Sequence, residues 1–329
     1  LKYLIAGLGS IGRRHFRNLI ALGERDILLY RTHHSTLPDD ELAGFPVVTD
    51  LDSALSCQPQ AVIVANPTAL HLDVAIPAAR AGCHLLLEKP ISHSMEGVSE
   101  LTKAVEQGGG QVLVGFQYRF HPGLIQAIQF LEDGVIGRPL SIRAVYAEYL
   151  SNMHPWEDYR QSYSSRKDLG GGVILTLCHP LDTLRWMMGE VQELWAFVGQ
   201  LNELELDVED TAEIGLRFAS GAVGSVHLDY YQRPSAHFLV IVGNQGVLRW
   251  DNASGVLQIY RAELDKMESF PPPRGFGRND MFLAEMRNFL AIVRGEERPA
   301  CTLEDGRKVL ELALAAHESQ NLGGLIKFH

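Results

Sequence analysis

Two short motifs hold the residues best suited to chemistry. Gly7-Leu8-Gly9-Ser10-Ile11-Gly12 follows the apolar run Tyr3-Leu4-Ile5-Ala6, and Glu88-Lys89-Pro90 follows the apolar run Leu85-Leu86-Leu87. The first has the spacing of a loop that holds a dinucleotide pyrophosphate. Gly7 permits a tight turn, Gly9 lets the backbone approach the phosphates, and Gly12 lets a helix pack close to its strand. The N–H groups of that helix's first turn, at Ser10 and Ile11, then face the anion. The second motif puts the Lys89 amine at the end of a later strand, where a nicotinamide ring would lie. Ketone reduction needs a donor to the developing alkoxide, and alcohol oxidation needs a base. A desolvated Lys89 can fill either role. The pair of motifs therefore points to hydride transfer.

Further residues refine that reading. A strand that serves a free ribose is expected to end in a carboxylate, but the second strand here ends Tyr30-Arg31-Thr32. Arg31 can pair with a 2′-phosphate and Thr32 can donate a hydrogen bond to it, which favours NADP(H) and leaves NAD(H) possible. In Gly172–Asp182, read as one helix, Thr176, His179 and Asp182 fall at i, i+3 and i+6 and share a face. An unperturbed histidine side chain titrates near neutrality, which suits His179 to proton transfer, and Asp182 is placed to orient it.

The elements that must position these groups follow from periodicity. In the first third, short apolar strands without alternation (Tyr3–Ala6, Asp26–Tyr30, Ala61–Ala65, His84–Leu87, Gln111–Gly115) alternate with helical stretches (Ile11–Leu22, His71–Ala81, Met95–Gln107). Strands buried on both faces and linked by helices make a doubly wound parallel sheet. After Tyr118 the pattern changes. A helix over Pro122–Leu131 precedes longer alternating segments near Leu140–Tyr149, Val191–Gly199, Thr211–Phe218, Ala222–Tyr230, Phe238–Val242, Gly246–Trp250 and Val256–Tyr260, as in an antiparallel sheet with one exposed face. A helix is expected near Gly171–Met188, and two more near Asn279–Val293 and Leu303–Ser319. The fold class is α/β, with a Rossmann domain over 1–118 and a second α/β domain over 119–329.

Bulk properties set the outer limits. A chain of 329 residues can hold two cores. Its formal charge of −11 argues against nucleic acid. No apolar run reaches the length of a membrane span, and the first residues enter a strand with no signal-peptide pattern. Four scattered cysteines, Cys57, Cys83, Cys178 and Cys301, form no metal-binding cluster and suit a reducing cytoplasm. No nucleic acid, membrane or metal partner is expected.

Taken together, the motifs resemble the Gfo/Idh/MocA oxidoreductase family. The likeness includes Ala6–Gly12 with His15, Ala65-Asn66-Pro67-Thr68 with His71, and Ala81-Gly82-Cys83-His84-Leu85-Leu86-Leu87-Glu88-Lys89-Pro90. It continues through Val114-Gly115-Phe116 with Arg119, Gly170-Gly171-Gly172 leading to His179, and Glu304-Asp305-Gly306 with Leu310. The resemblance implies a Rossmann domain followed by an open, mostly antiparallel sheet that forms a dimer or tetramer face. It implies cofactor contacts from Asn66, Pro67, His71, Glu88 and Lys89, substrate contacts from Lys89, Arg119, Thr176 and His179, and catalysis by Lys89, His179 and Asp182. The implied chemistry is reversible hydride transfer to a sugar or polyol carbon, with a cis Lys89-Pro90 bond. Thr176 stands where related sequences carry an aspartate.

The segment Tyr149-Leu150, His154–Arg160 and Ser162-Tyr163-Ser164 resembles family members found with nonulosonate and surface-polysaccharide synthesis. That resemblance implies an amino-sugar or nucleotide-sugar substrate, with Trp156 and Tyr159 stacking on a ring and Arg160 or Arg166 meeting an acidic group. Some relatives instead oxidise, eliminate and re-reduce with a retained NAD, and a few act as cofactor-sensing regulators, so these alternatives stand beside the dehydrogenase reading.

Overall fold

The structure is a computed structural model and describes residues 1–32, 40–153 and 155–328. The chain divides into two compact units. The first comprises Leu1–Gln117, Asp168–Gly170 and Arg278–Leu310, and the second comprises Tyr118–Lys167, Gly171–Gly277 and Glu311–His329.

The first unit contains β1 (Tyr3–Ala6), α1 (Ser10–Ala21), β2 (Ile27–Tyr30), β3 (Val47–Val48), α2 (Leu51–Ser56), β4 (Ala61–Val64), α3 (His71–Arg80), β5 (His84–Leu87), α4 (Val98–Gly108) and β6 (Val112–Val114). Its six strands lie in the order β3-β2-β1-β4-β5-β6, and every pairing is parallel. β1, β4 and β6 are buried along their whole length, as sheet strands covered on both faces must be. Because the strands are parallel, their carboxyl ends share one edge. The strand order reverses between β1 and β4, which opens the crevice where ligands bind in such sheets.

The second unit contains α5 (Pro122–Glu132), β7 (Pro139–Ala147), α6 (Leu150–Met153), α7 (Val173–Thr176), α8 (His179–Met188), β8 (Val191–Gly199), β9 (Thr211–Phe218), β10 (Val223–Asp229), β11 (Ala236–Gly243), β12 (Gly246–Asp251), β13 (Leu257–Arg261) and β14 (Lys266–Phe270). With β15 (Ile326–Lys327), these strands form a nine-stranded sheet in the order β14-β13-β12-β11-β7-β10-β9-β8-β15. All its pairings are antiparallel except β7 with β10. Alternation is clear on β12, where Val247, Arg249 and Asp251 stay accessible while Gly246, Leu248 and Trp250 are buried.

Three sequence expectations change. First, the single crossing after residue 118 becomes an interleaved division. The helix α9 (Arg278–Val293) and the start of α10 (Leu303–Leu322) belong to the first unit. α9 buries Met281, Phe282, Met286 and Phe289 and packs on α1 and β5. Its apolar face is satisfied by the parallel sheet, a preference that chain order does not reveal. Second, the expected helix over Gly171–Met188 is two helices. Leu177 (φ −101°, ψ 29°) separates α7 from α8. Pro180 has no N–H to give the carbonyl of residue 176, and its ring crowds that same carbonyl, so a continuous helix fails there. Third, β14 and β15 were not anticipated, being short and weakly patterned. Among the described residues, no helix is long and apolar enough to cross a membrane.

Candidate functional site

The carboxyl edge of the parallel sheet gathers the first set of residues. Gly7 has φ +93°, and a Cβ there would lie 2.5 Å from the Asn66 backbone nitrogen. A Cβ at Gly12 would collide with the carbonyl of Gly7. Both glycines are thus required for α1 to start directly behind β1, beside the end of β4. Gly9, by contrast, has no atom within 4 Å of the place its Cβ would occupy. It caps α1 without a side-chain hydrogen bond, and no acidic residue occupies the helix's first turn. The N–H groups around Ser10 and Ile11 therefore present positive potential to open space.

Asn66 adds a further group at this edge. Its Nδ2 donates to the carbonyl of Leu70 at 2.7 Å, while its buried Oδ1 has no hydrogen-bond partner among the described residues. An acceptor left in that state invites a donor from a ligand. The open Gly9 turn and this acceptor fit a dinucleotide laid across the sheet edge. Arg31 follows β2 directly, is largely buried, and donates its backbone N–H to Val48. Thr32 beside it is exposed. The seven residues that follow Thr32 lie outside the described set.

His71 takes a different place from the one expected. It is buried, with Nδ1 2.9 Å from the carbonyl of Pro90 and Nε2 3.0 Å from the carbonyl of Asn66. Burial holds its pKa below the usual histidine value. The ring therefore ties the loop after β4 to the loop after β5, holding Asn66 beside the Lys89-Pro90 turn. The Lys89-Pro90 bond is cis, as expected.

Glu88 has a partner that the sequence reading quoted without assigning a role. Its Oε1 lies 2.7 Å from His15 Nε2, and its Oε2 accepts the Lys89 backbone N–H at 3.2 Å. A Cβ at Gly115 would approach the same carboxyl to 3.2 Å, so the glycine makes room for it. Burial alone would raise the Glu88 pKa, but the His15 hydrogen bond and the His15 and Lys89 charges hold it below the usual carboxylate value. Lys89 thus starts from a backbone anchored to a buried, ionised carboxylate.

Within the second unit, His179 opens α8 and is buried. Tyr118 meets it edge-on at 4.9 Å between ring centroids, and Tyr146 lies alongside at 6.0 Å. His237 stacks flat on Tyr146 at 4.0 Å, and its Nδ1 lies 3.1 Å from the Tyr118 hydroxyl. Trp250 meets His237 edge-on at 5.2 Å. Sequence reasoning missed Tyr118, Tyr146, His237 and Trp250 as neighbours of His179. Tyr146, His237 and Trp250 come from the strands β7, β11 and β12 and Tyr118 from a short helical turn, and alternation reports which face a residue takes, not which residue it meets.

Asp182 and Arg119, expected to orient His179 and to contact substrate respectively, are bonded to each other. Arg119 Nη2 donates to Asp182 Oδ1 at 2.6 Å and Nε to Oδ2 at 3.0 Å, with both side chains buried. The guanidinium also sits 5.5 Å over the Trp186 ring. This buried pair secures the first turn of α8, on which His179 rides. Thr176 ends α7, ahead of the break at Leu177, and is buried. Tyr230 donates to the carbonyl of Gly172 at 2.9 Å.

The aromatic loop gives a mixed result. Trp156 is 57% exposed, so its face is accessible to a ring. Tyr159 lies under the Arg160 guanidinium at 4.8 Å. Arg160 is engaged by Glu205 at 2.7 Å and Asp158 at 3.2 Å, two carboxylates already supplied by the chain. His154 lies outside the described residues.

Residues 1–116 match the NAD-binding Rossmann-fold profile of an oxidoreductase family, and residues 124–249 match the GFO/IDH/MocA C-terminal domain. The chain belongs to the Gfo/Idh/MocA oxidoreductase family. It is 28% identical over 336 residues to a myo-inositol 2-dehydrogenase of Thermotoga maritima, covering 96% of this chain and 95% of the relative. It is 27% identical to a 1,5-anhydro-D-fructose reductase of Ensifer adhaerens, covering 86% of this chain and 81% of that protein. A 2,7-anhydro-N-acetylneuraminate hydratase of Mediterraneibacter gnavus is 28% identical, covering 78% of this chain and 69% of the relative. Levoglucosan dehydrogenase in complex with NADH and levoglucosan shares the fold with a TM-score of 0.88 at 24% identity, over 99% of both chains. The chain is thus an oxidoreductase of a family of sugar dehydrogenases and reductases, with an NAD-binding Rossmann domain.

Proposed function

We propose that this protein transfers hydride between a nicotinamide cofactor and a carbinol or carbonyl carbon of a sugar, amino sugar or nucleotide sugar. The observation that carries the reading is the carboxyl edge of the parallel sheet. There the open Gly9 turn, the unpartnered Asn66 Oδ1 and the Glu88-Lys89 strand end lie on one side of one sheet. The bound nicotinamide supplies the hydride acceptor or donor. Lys89 gives a proton to the substrate oxygen during reduction and takes one during oxidation. His179 is the second polar group for substrate, held by the α8 turn that Arg119 and Asp182 lock. Trp156 and Tyr159 offer ring faces to the sugar.

Arg31 in place of a carboxylate after β2 supports a preference for NADP(H). The exposed Trp195, Phe197 and Val223 on the nine-stranded sheet support assembly into a homodimer or homotetramer through that face.

Replacing Lys89 with Met removes the amine while keeping a long side chain. Turnover on a panel of sugars is expected to fall by about a hundredfold or more, with cofactor affinity within about threefold of wild type. Unchanged turnover would remove Lys89 from the proton step.

A redox-neutral reaction with a retained cofactor is the second reading, favoured by the similarity to the 2,7-anhydro-N-acetylneuraminate hydratase. Stoichiometry separates the two. Product formed without net change in nicotinamide absorbance supports the redox-neutral reaction, and equimolar change supports the dehydrogenase.

A further inference from the structure

Glu285 on α9 is fully buried, and neither of its carboxyl oxygens has a hydrogen-bond partner among the described residues. It lies within the first unit, in the layer where α9 packs on α1 and β5. Contacts at both ends of α9 hold it against α1 and the residues that follow α1, and at the far end Arg294 donates to Glu24 at 3.1 Å. Asn279 Nδ2 donates to Asn18 Oδ1 at 2.9 Å, and Phe282 meets His15 edge-on at 6.4 Å. Glu285 lies one turn past Phe282, whose ring meets the same His15 against which Glu88 is buried.

Two carboxyl groups in one dry compartment cannot both ionise. Glu88 has His15 Nε2, the Lys89 backbone N–H and the Lys89 charge to sustain its anion. Glu285 has none of these. From the geometry we infer that Glu285 is a positioning residue that stays a neutral carboxylic acid, so that Glu88 alone carries negative charge beneath Lys89. A second anion there would tighten the hold on the Lys89 proton, so the neutral acid keeps Lys89 able to release it.

The charged and titratable groups on the elements packed here include exposed ones on α9 itself, Arg278, Asp280 and Arg287. α1 contributes His15 and Arg14, the latter with its guanidinium 4.6 Å over the Phe282 ring. β5 leads to Glu88 and Lys89. Burial and the Glu88 charge both push the Glu285 carboxyl upward, in keeping with the protonated form.

The test uses the full chain and needs no substrate, so its outcome is separate from the reading of the reaction. The infrared spectrum of wild type minus E285Q at pH 7 is expected to show the carbonyl band of a protonated carboxylic acid. In E88Q, where the neighbouring anion is gone, that band is expected to titrate away at lower pH than in wild type, by a unit or more. The thermal midpoint of wild type is expected to fall relative to E285Q as pH rises from 6 to 9. E285L, an apolar replacement, is expected to fold and to match or exceed wild type at pH 8, which covers the case of an unstable E285Q. A carboxylate band in place of the acid band at pH 7, or loss of folding in E285L, overturns the inference. A titration unmoved by E88Q overturns the link to Glu88.

Discussion

The buried Arg119–Asp182 pair is the sharpest point at which to perturb the second unit. Asp182→Asn keeps the shape and removes the charge. The carboxylate is 1% exposed and the guanidinium 5%, so almost no water can replace what is lost. An uncompensated cation in that environment costs about 3–5 kcal/mol. For a unit of this size, that lowers the thermal midpoint by on the order of 10 °C. The assay is thermal unfolding followed by circular dichroism, with urea denaturation to check that the slope is unchanged. The double variant Arg119→Met/Asp182→Leu removes both charges and is expected to recover most of the loss, because a matched apolar pair need not repay desolvation. If the pair also fixes the α8 turn that carries His179, the recovered protein should still turn over about tenfold more slowly. A midpoint within 2 °C of wild type for Asp182→Asn would refute the reasoning, since it would mean that the guanidinium has solvent or another anion ready to replace Asp182.

Three further outcomes test other parts of the structure. Gly12→Ala forces a Cβ into the Gly7 carbonyl. It is expected to weaken dinucleotide binding by more than about tenfold in a fluorescence titration, because α1 must move away from β1. Arg31→Ala is expected to lower NADPH affinity by about tenfold with little change for NADH, in line with loss of one charge-assisted contact. Equal losses for both cofactors would separate Arg31 from a 2′-phosphate. Glu209→Gln tests the pH response. Burial pushes the Glu209 carboxyl up to about 7, partly opposed by the Ile174 N–H. Its folded value lies above the unfolded one, so its stabilising effect is complete below about pH 4.5 and is lost as pH rises through about 7. At pH 8 and above, ionisation costs wild type about 3 kcal/mol relative to acid conditions. Glu209→Gln should therefore lose less stability between pH 5 and 9, and parallel curves for the two proteins would count against this reading.

Much of the first unit was legible because its signals are local. Apolar runs such as Ala61–Val64 and His84–Leu87 can only be doubly covered strands, and the glycine spacing between β1 and α1 has few other uses. The position of Lys89 just past β5 followed from the apolar run before it. What escaped was set by encounters between distant segments. Asp182 finds Arg119, Tyr146 finds His237, and α9 finds α1 across most of the chain. The break between Thr176 and His179 was readable in principle, since Pro180 forbids a continuous helix there, but helical periodicity across the segment concealed it. Thr176, assigned by spacing to the helix of His179, ends the preceding helix α7.

The interleaving of the two units has a consequence for biogenesis. Synthesis delivers the whole parallel sheet early, yet the helix that covers the α1–β5 side is encoded after residue 277. Until α9 emerges, the apolar surface destined for Met281, Phe282, Met286 and Phe289 is bare, and the second unit is made in the meantime. The nascent Rossmann half is therefore a natural client for chaperones, and it matures after its younger neighbour has been translated. A chain severed at residue 118 loses the lid of its own first core, so the boundary that looks natural along the sequence is not one at which folding can be divided.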